Sequence, residues 1–178
     1  YVTCTPVQEQ VLEAGLDGSD LYVQSQTGTG KTAAYLVTLM QRMLTAGTER
    51  AALILVPTRE LAVQVEQEAC LLARHTGLKA ASFYGGGGYQ KQEETLQNGV
   101  NIIIGTPGRV IDLEKSKTMR LSNVGFLIVD EADRMFDMGF YPDLRTLLSV
   151  LPPAEQRQTM LFSATLNTWV KNLAWEYT

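Results

Sequence analysis

A doubly wound α/β fold, with a mostly parallel central sheet and helices on both faces, is predicted by three observations. Short β-rich apolar runs alternate with amphipathic helical patterns, 45% of the 178 residues are hydrophobic, and the most unusual residue strings stand directly after the apolar runs. A chain of this size can bury one full core and needs no second, so a single domain over residues 1–178 is expected.

The apolar runs at 21–24, 53–56, 80–84, 102–104, 126–129 and 160–162 read as buried parallel strands. Between them, residues 32–44 and 60–73 repeat apolar positions at helical spacing, as crossover helices do. Leu151-Pro152-Pro153 reads as a connector into the last strand. Met135, Phe136, Met138 and Phe140 are expected to pack in the core. Four consecutive glycines at 85–88 make either a flexible turn or a backbone surface that a ligand can approach closely. In open α/β sheets ligands sit at the carboxyl ends of the strands, which directs attention to the residues just after each run.

The net charge of −4 and a pI near 5.0 argue against a broad basic face wrapped by nucleic acid, so any such contact must be local. No run approaches the roughly 18 apolar residues of a membrane span, and no membrane association is expected. Tyr1 follows neither an initiator Met nor a leader, which suggests a piece excised from a longer protein. Cys4 and Cys70 lack C-x-x-C spacing and neighbouring His, so they read as two separate thiols in a reducing compartment. The expected location is inside the cell, in the cytoplasm, with the nucleus left open. His75, the single histidine, is assigned no role.

After the run at 21–24 comes Ser25-Gln26-Thr27-Gly28-Thr29-Gly30-Lys31-Thr32, which opens a helical pattern. This is a P-loop: glycines let backbone N–H groups wrap phosphates and the helix N-terminus adds positive potential, while Lys31 reaches the β and γ phosphates and Thr32 can ligate Mg²⁺. By residue usage, T-G-x-G-K-T arises by chance on the order of once per million start positions. Ser25 stands where the generic pattern has Gly, and no Asn-Lys-x-Asp string is present, so an adenine nucleotide is favoured over a guanine one.

The run ending at Val129 delivers Asp130-Glu131-Ala132-Asp133. One carboxylate at a strand end is needed to hold Mg²⁺, usually through water, and a second to orient or deprotonate an attacking water. Asp130 and Glu131 are assigned these roles, and with Lys31 they form the expected catalytic set.

These strings together resemble the DEAD-box family of RNA-dependent ATPases over nearly the whole chain, which implies the first, RecA-like, ATP-binding domain of an RNA helicase. Thr5-Pro6-Val7-Gln8 resembles the Q motif, residues 25–32 motif I, and Pro57-Thr58-Arg59-Glu60-Leu61-Ala62 motif Ia. Gly85-Gly86 resembles the double-glycine motif, Thr106-Pro107-Gly108-Arg109 motif Ib, Asp130 to Asp133 motif II, and Ser163-Ala164-Thr165 motif III, all in the family's order. The resemblance implies that Gln8 reads the adenine edge with its amide, and that Tyr1 takes the place of a Phe in the first motif. The aromatic residue that stacks on adenine in the family would precede residue 1. Pro57, Thr58, Arg59, Gly86, Thr106, Gly108 and Arg109 are implied to hold single-stranded RNA by its backbone, independent of base sequence. Asp133 is implied to meet the hydroxyls of Ser163 and Thr165, linking nucleotide state to domain closure.

ATP and Mg²⁺ are thus the expected cofactors, and RNA and a second RecA-like domain the expected partners of a monomeric protein. The second domain is expected to lie outside this chain and to supply arginines to the γ-phosphoryl group, leaving the fragment nearly inactive alone. Two rivals remain: a DNA helicase or translocase lacking the Thr5 to Gln8 element, and an ATP-gated RNA clamp that hydrolyses ATP only for release.

Overall fold

The computed structural model describes residues 3–47, 49–165 and 167–177. Tyr1, assigned to the first motif by its sequence position, lies outside them. Among the described residues the chain runs α1 (Pro6–Leu16), β1 (Leu21–Gln24), α2 (Lys31–Ala46), β2 (Ala51–Leu55), α3 (Arg59–Ala73), β3 (Ala80–Phe83), α4 (Tyr89–Gln97), β4 (Ile102–Gly105), α5 (Pro107–Lys115), β5 (Val124–Val129), α6 (Ala132–Asp137), α7 (Tyr141–Val150), β6 (Gln158–Ser163) and α8 (Thr168–Tyr177). A single 3₁₀ turn, Ala154–Gln156, comes after the two prolines and leads into β6.

The strands form one sheet in the order β1-β6-β5-β2-β4-β3, with every pairing parallel. Because side chains alternate across a strand, each central strand feeds two cores. On β2, Leu53 and Leu55 face one layer with Val110, Met135, Leu144 and Leu173, while Ala52 and Ile54 face the other with Tyr35, Leu39, Val65 and Ala69. Helices α1, α2 and α3 cover the second face, and α5 through α8 supply residues to the first.

Two sequence expectations need correction. The runs at 21–24 and 80–84 do not form fully buried strands: β1 and β3 are the sheet edges, and their residues alternate between covered and more open positions. An edge strand has a hydrogen-bonded neighbour on one side only, so less packs over it. Met138 is 47% exposed rather than core. It caps the six-residue α6, one turn beyond Met135, which is fully buried.

The strand order also partitions the motif residues. P-loop, motif III and the acidic string leave β1, β6 and β5, whereas Pro57 to Arg59, Thr106 to Arg109 and the glycine loop leave β2, β4 and β3.

Candidate nucleotide site

The P-loop begins where β1 ends and closes on α2. Gly28 and Gly30 hold φ of 85° and 79°, the left-handed region in which a Cβ is strained. At Gly30 a Cβ would also come within 2.4 Å of Gln8 Nε2, so that position admits only glycine without displacing its neighbour. Lys31 is buried and its Nζ lies 3.0 Å from Asp130 Oδ1. Asp130 itself is fully buried at the end of β5.

Three donors meet the Asp130 carboxylate. Oδ1 accepts from Lys31 and from the Glu131 N–H at 2.8 Å, and Oδ2 accepts from the Tyr35 hydroxyl at 3.1 Å. Burial pushes the Asp130 carboxyl above its ordinary value, opposed by the charge of Lys31 and by the hydrogen bonds from Lys31 and Tyr35. Burial, together with the Asp130 charge, lifts the Tyr35 phenol far above its ordinary value, so it remains a neutral donor. Glu131 adopts φ 52° and ψ 49°, a left-handed conformation rare for a residue with a Cβ, and its Oε2 accepts from Arg134 Nη1 at 3.3 Å.

These groups line one cleft of about 700 Å³, with Thr27, Gly28, Gly30, Lys31 and Thr32 on one side and Asp130, Glu131 and Arg134 on the other. Thr58, Glu60, Leu61, Gln64 and Glu68 of the α3 region close it. Hard oxygens from Thr32 and Asp130 beside a phosphate-directed lysine suit Mg²⁺, which is commonly held by one or two carboxylates together with substrate phosphates. Among the described residues there is no group of three or more His, Cys, Asp or Glu that could hold a metal ion. The Ser25 hydroxyl is buried at the loop entrance and has no hydrogen-bond partner among the described residues. Gln26 and Thr29 are tied within the loop, the Thr29 hydroxyl donating to the Gln26 carbonyl at 2.9 Å.

Gln8 does more than its sequence motif suggested. Thr5 and Gln8 form a reciprocal capping box on α1, with the Thr5 N–H donating to Gln8 Oε1 at 2.9 Å and the Gln8 N–H donating to Thr5 Oγ1 at 3.3 Å. Gln8 Nε2 donates to the Gly30 carbonyl at 3.1 Å, and the Thr5 hydroxyl to the Thr29 carbonyl at 2.9 Å. Helix α1 is thereby tied to the P-loop through both residues. T-x-x-Q before an apolar helix is a readable capping signature.

Asp133 Oδ2 accepts from both the backbone N–H and the hydroxyl of Thr165, at 3.1 and 3.2 Å. Ser163 does not join them: its hydroxyl donates to the Thr165 carbonyl at 2.9 Å, an acceptor only two residues along its own chain.

The remaining motif residues gather beyond β2. Pro57 is buried, and Thr58 caps α3 by accepting from the Leu61 N–H at 3.3 Å. The Arg59 guanidinium lies 4.8 Å over the Tyr84 ring, and that of Arg109 lies 5.4 Å over the Tyr89 ring. Arg109 Nη1 also donates to Gln92 Oε1 at 3.0 Å, and Gln92 Nε2 to the Tyr84 carbonyl at 3.1 Å. Thr106 precedes α5 without capping it through its side chain, Gly108 lies in the first turn, and Gly86 holds φ 78° in the glycine loop. Tyr35, Tyr84, Tyr89, Gln92 and Arg134 are contributors that the motif reading did not single out.

Elsewhere, Cys4 and Cys70 are free and exposed, and His75 is exposed. Among the described residues no helix is long and apolar enough to cross a membrane.

The chain is similar to known proteins in sequence and in fold. The chain is 50% identical to the ATP-dependent RNA helicase RhlB of Pasteurella multocida, over 97% of its own length and 42% of the relative's. It is 48% identical to the RhlB of Pseudoalteromonas atlantica over 98% and 42%. The chain therefore spans about two fifths of the length of these curated relatives. A crystal structure of a hypothetical ATP-dependent RNA helicase from Sulfolobus tokodaii superposes with a TM-score of 0.89 at 33% identity, over 99% of this chain and 51% of that one. The fold is thus that of a RecA-like helicase domain. A family model described as DEAD/DEAH box helicase matches residues 5–173, and the chain belongs to that family.

Proposed function

We propose that the chain is the ATP-binding first RecA-like domain of an ATP-dependent RNA helicase, holding ATP with Mg²⁺ in the cleft and the backbone of single-stranded RNA along the β2, β4 and β3 ends. The observation that carries this reading is the 3.0 Å contact of Lys31 with Asp130, which joins the phosphate-directed ammonium to the strand-end acid within one cleft. The two groups come from P-loop and motif II, far apart in sequence.

In this reading the loop amides over residues 26–32 and the N-terminus of α2 cradle the phosphates. Lys31 turns part of its charge from Asp130 to the β and γ phosphates. Thr32 and Asp130 hold Mg²⁺, Asp130 partly through water. Bound Mg²⁺ supplies neutralisation of the charge on the phosphate oxygens. Glu131, steadied by Arg134, orients the attacking water and accepts its proton. The Gln8 amide retains one N–H and one lone-pair site beyond its contacts to Gly30 and Thr5, enough to read an adenine edge.

Thr58, Arg59, Thr106 and Arg109, with backbone groups at Pro57, Gly86 and Gly108, contact RNA phosphates and sugars. Such contacts are blind to sequence and need no globally basic surface. The length of the relatives beyond the matched part leaves room for a second RecA-like domain. Its arginines would contribute about 10³ to 10⁵ in rate, as analogous fingers do, so this domain alone turns ATP over slowly and does not unwind duplexes. The whole protein acts as a monomer inside the cell.

The test is RNA-stimulated ATP hydrolysis by the full-length protein carrying Lys31→Ala. We expect loss of at least about 100-fold, the scale at which removing one transition-state charge contact acts. Hydrolysis at the unaltered rate would refute the assignment.

A further inference from the structure

We infer that Tyr35 is a positioning residue for the site's metal-binding carboxylate: its phenol fixes Asp130 and so sets how strongly Mg²⁺ and nucleotide reinforce each other's binding. The inference rests on the proposed role of Asp130 as a metal ligand.

Lys31 and Tyr35 stand four residues apart on α2, so both side chains leave the same helix face one turn apart. They reach opposite oxygens of one carboxylate, Nζ at 3.0 Å from Oδ1 and the phenol at 3.1 Å from Oδ2. The Glu131 N–H adds a third donor on Oδ1. An ionised carboxylate offers about four lone-pair sites, so about one is left, on Oδ2, for a metal or a metal-bound water. A donor on each oxygen prevents the carboxylate from rotating about its Cβ–Cγ bond and keeps that remaining lone pair in one direction.

Tyr35 is itself packed into the core. It is fully buried, with its ring tilted against Phe162 at 5.2 Å between centroids. A buried tyrosine needs only some acceptor for its O–H. Here the acceptor is a buried anion at the cleft, and a phenylalanine would fill the same volume without reaching it. Partners that orient metal ligands in this way are typically worth tenfold or more in metal affinity.

The experiment uses the full-length protein and a fluorescent ADP analogue, titrated once in excess Mg²⁺ and once in EDTA. The ratio of the two dissociation constants measures the Mg²⁺ reinforcement directly and requires no turnover. For Tyr35→Phe we expect that ratio to fall about tenfold, with the EDTA constant held within about twofold of the unaltered protein. An unchanged ratio would overturn the inference, as would equal weakening in both media, the mark of a purely structural role. Asp130→Asn, run in parallel, separates the two layers. If it abolishes the reinforcement while Tyr35→Phe preserves it, the role of Tyr35 alone is lost. If it too leaves the ratio unchanged, the metal assignment of Asp130 fails and the inference with it.

Discussion

Asp133 and Thr165 are joined by two hydrogen bonds to a single carboxylate oxygen, one from the backbone and one from the hydroxyl. The contact ties the first turn of α6 to the loop after β6, next to the strand pair that carries both. Thr165→Val removes only the hydroxyl bond, worth about 1 kcal/mol, or roughly a fivefold change in an equilibrium. In the full-length protein we expect nucleotide affinity to be retained and duplex unwinding per ATP hydrolysed to drop by about that factor. Unwinding per ATP equal to that of the unaltered protein would separate this contact from domain closure.

Lys31 and Asp130 form a nearly buried pair, and removal of one partner strands the other charge at a cost of about 3 to 5 kcal/mol. Lys31→Ala should therefore lower the melting temperature at neutral pH. Burial already raises the Asp130 carboxyl above its ordinary value, and Lys31 is the main influence pulling it back. Without Lys31 the carboxyl rises further. A group whose pKa is raised on folding favours the fold while protonated and loses that contribution as pH rises through the folded-state value. The deficit of Lys31→Ala should thus shrink as pH falls below neutrality, which parallel melting curves of both proteins would reveal. A deficit that grows toward acid would contradict the burial account.

Gln8 offers a substitution that separates its two attachments. Gln8→Glu keeps an acceptor for the Thr5 N–H but loses the donor to the Gly30 carbonyl. We expect α1 to stay capped and nucleotide affinity to fall, because an acid then faces a carbonyl of the P-loop. Gln8→Ala also removes the acceptor of the Thr5 N–H, leaving only the backbone half of the box, and should cost about 1 kcal/mol of stability in addition. Denaturant titration of the two variants, set beside their nucleotide affinities, checks the division; equal stabilities would count against it.

The Arg109 guanidinium is held by Gln92 and Tyr89, so its orientation is fixed before RNA arrives. Arg109→Ala should weaken binding of unrelated single-stranded RNAs to a similar extent and reduce the salt slope of log affinity by about 0.7, as expected for one phosphate contact. Gln92→Leu keeps the charge but frees the arginine, so affinity should fall while the slope stays. A sequence-selective loss in either variant would be incompatible with backbone readout.

Much of the fold lay in the sequence. Each apolar run lies in or overlaps a strand, and P-loop and acidic string stand at strand ends because the backbone there must turn toward solvent. The strand order did not, since hydrophobicity along a line does not say which strand gains a second neighbour; β1 and β3 consequently looked more buried than they are. Motif spelling located the cleft but not its internal supports. Tyr35 was visible as a helix-face neighbour of Lys31, yet its acceptor is 95 residues away and needs the crossover geometry to be found. The Ser163 hydroxyl donates to the Thr165 carbonyl rather than to Asp133, a local turn contact that motif spelling does not reveal.

The partition of the sheet leaves its two groups of loops joined by main chain. Asp130 donates its backbone N–H to the Leu55 carbonyl at 2.9 Å, so a peptide rung spans the seam between β5 and β2. Any effect that an occupant of one half has on binding at the other must be returned by the same factor, whichever arrives first.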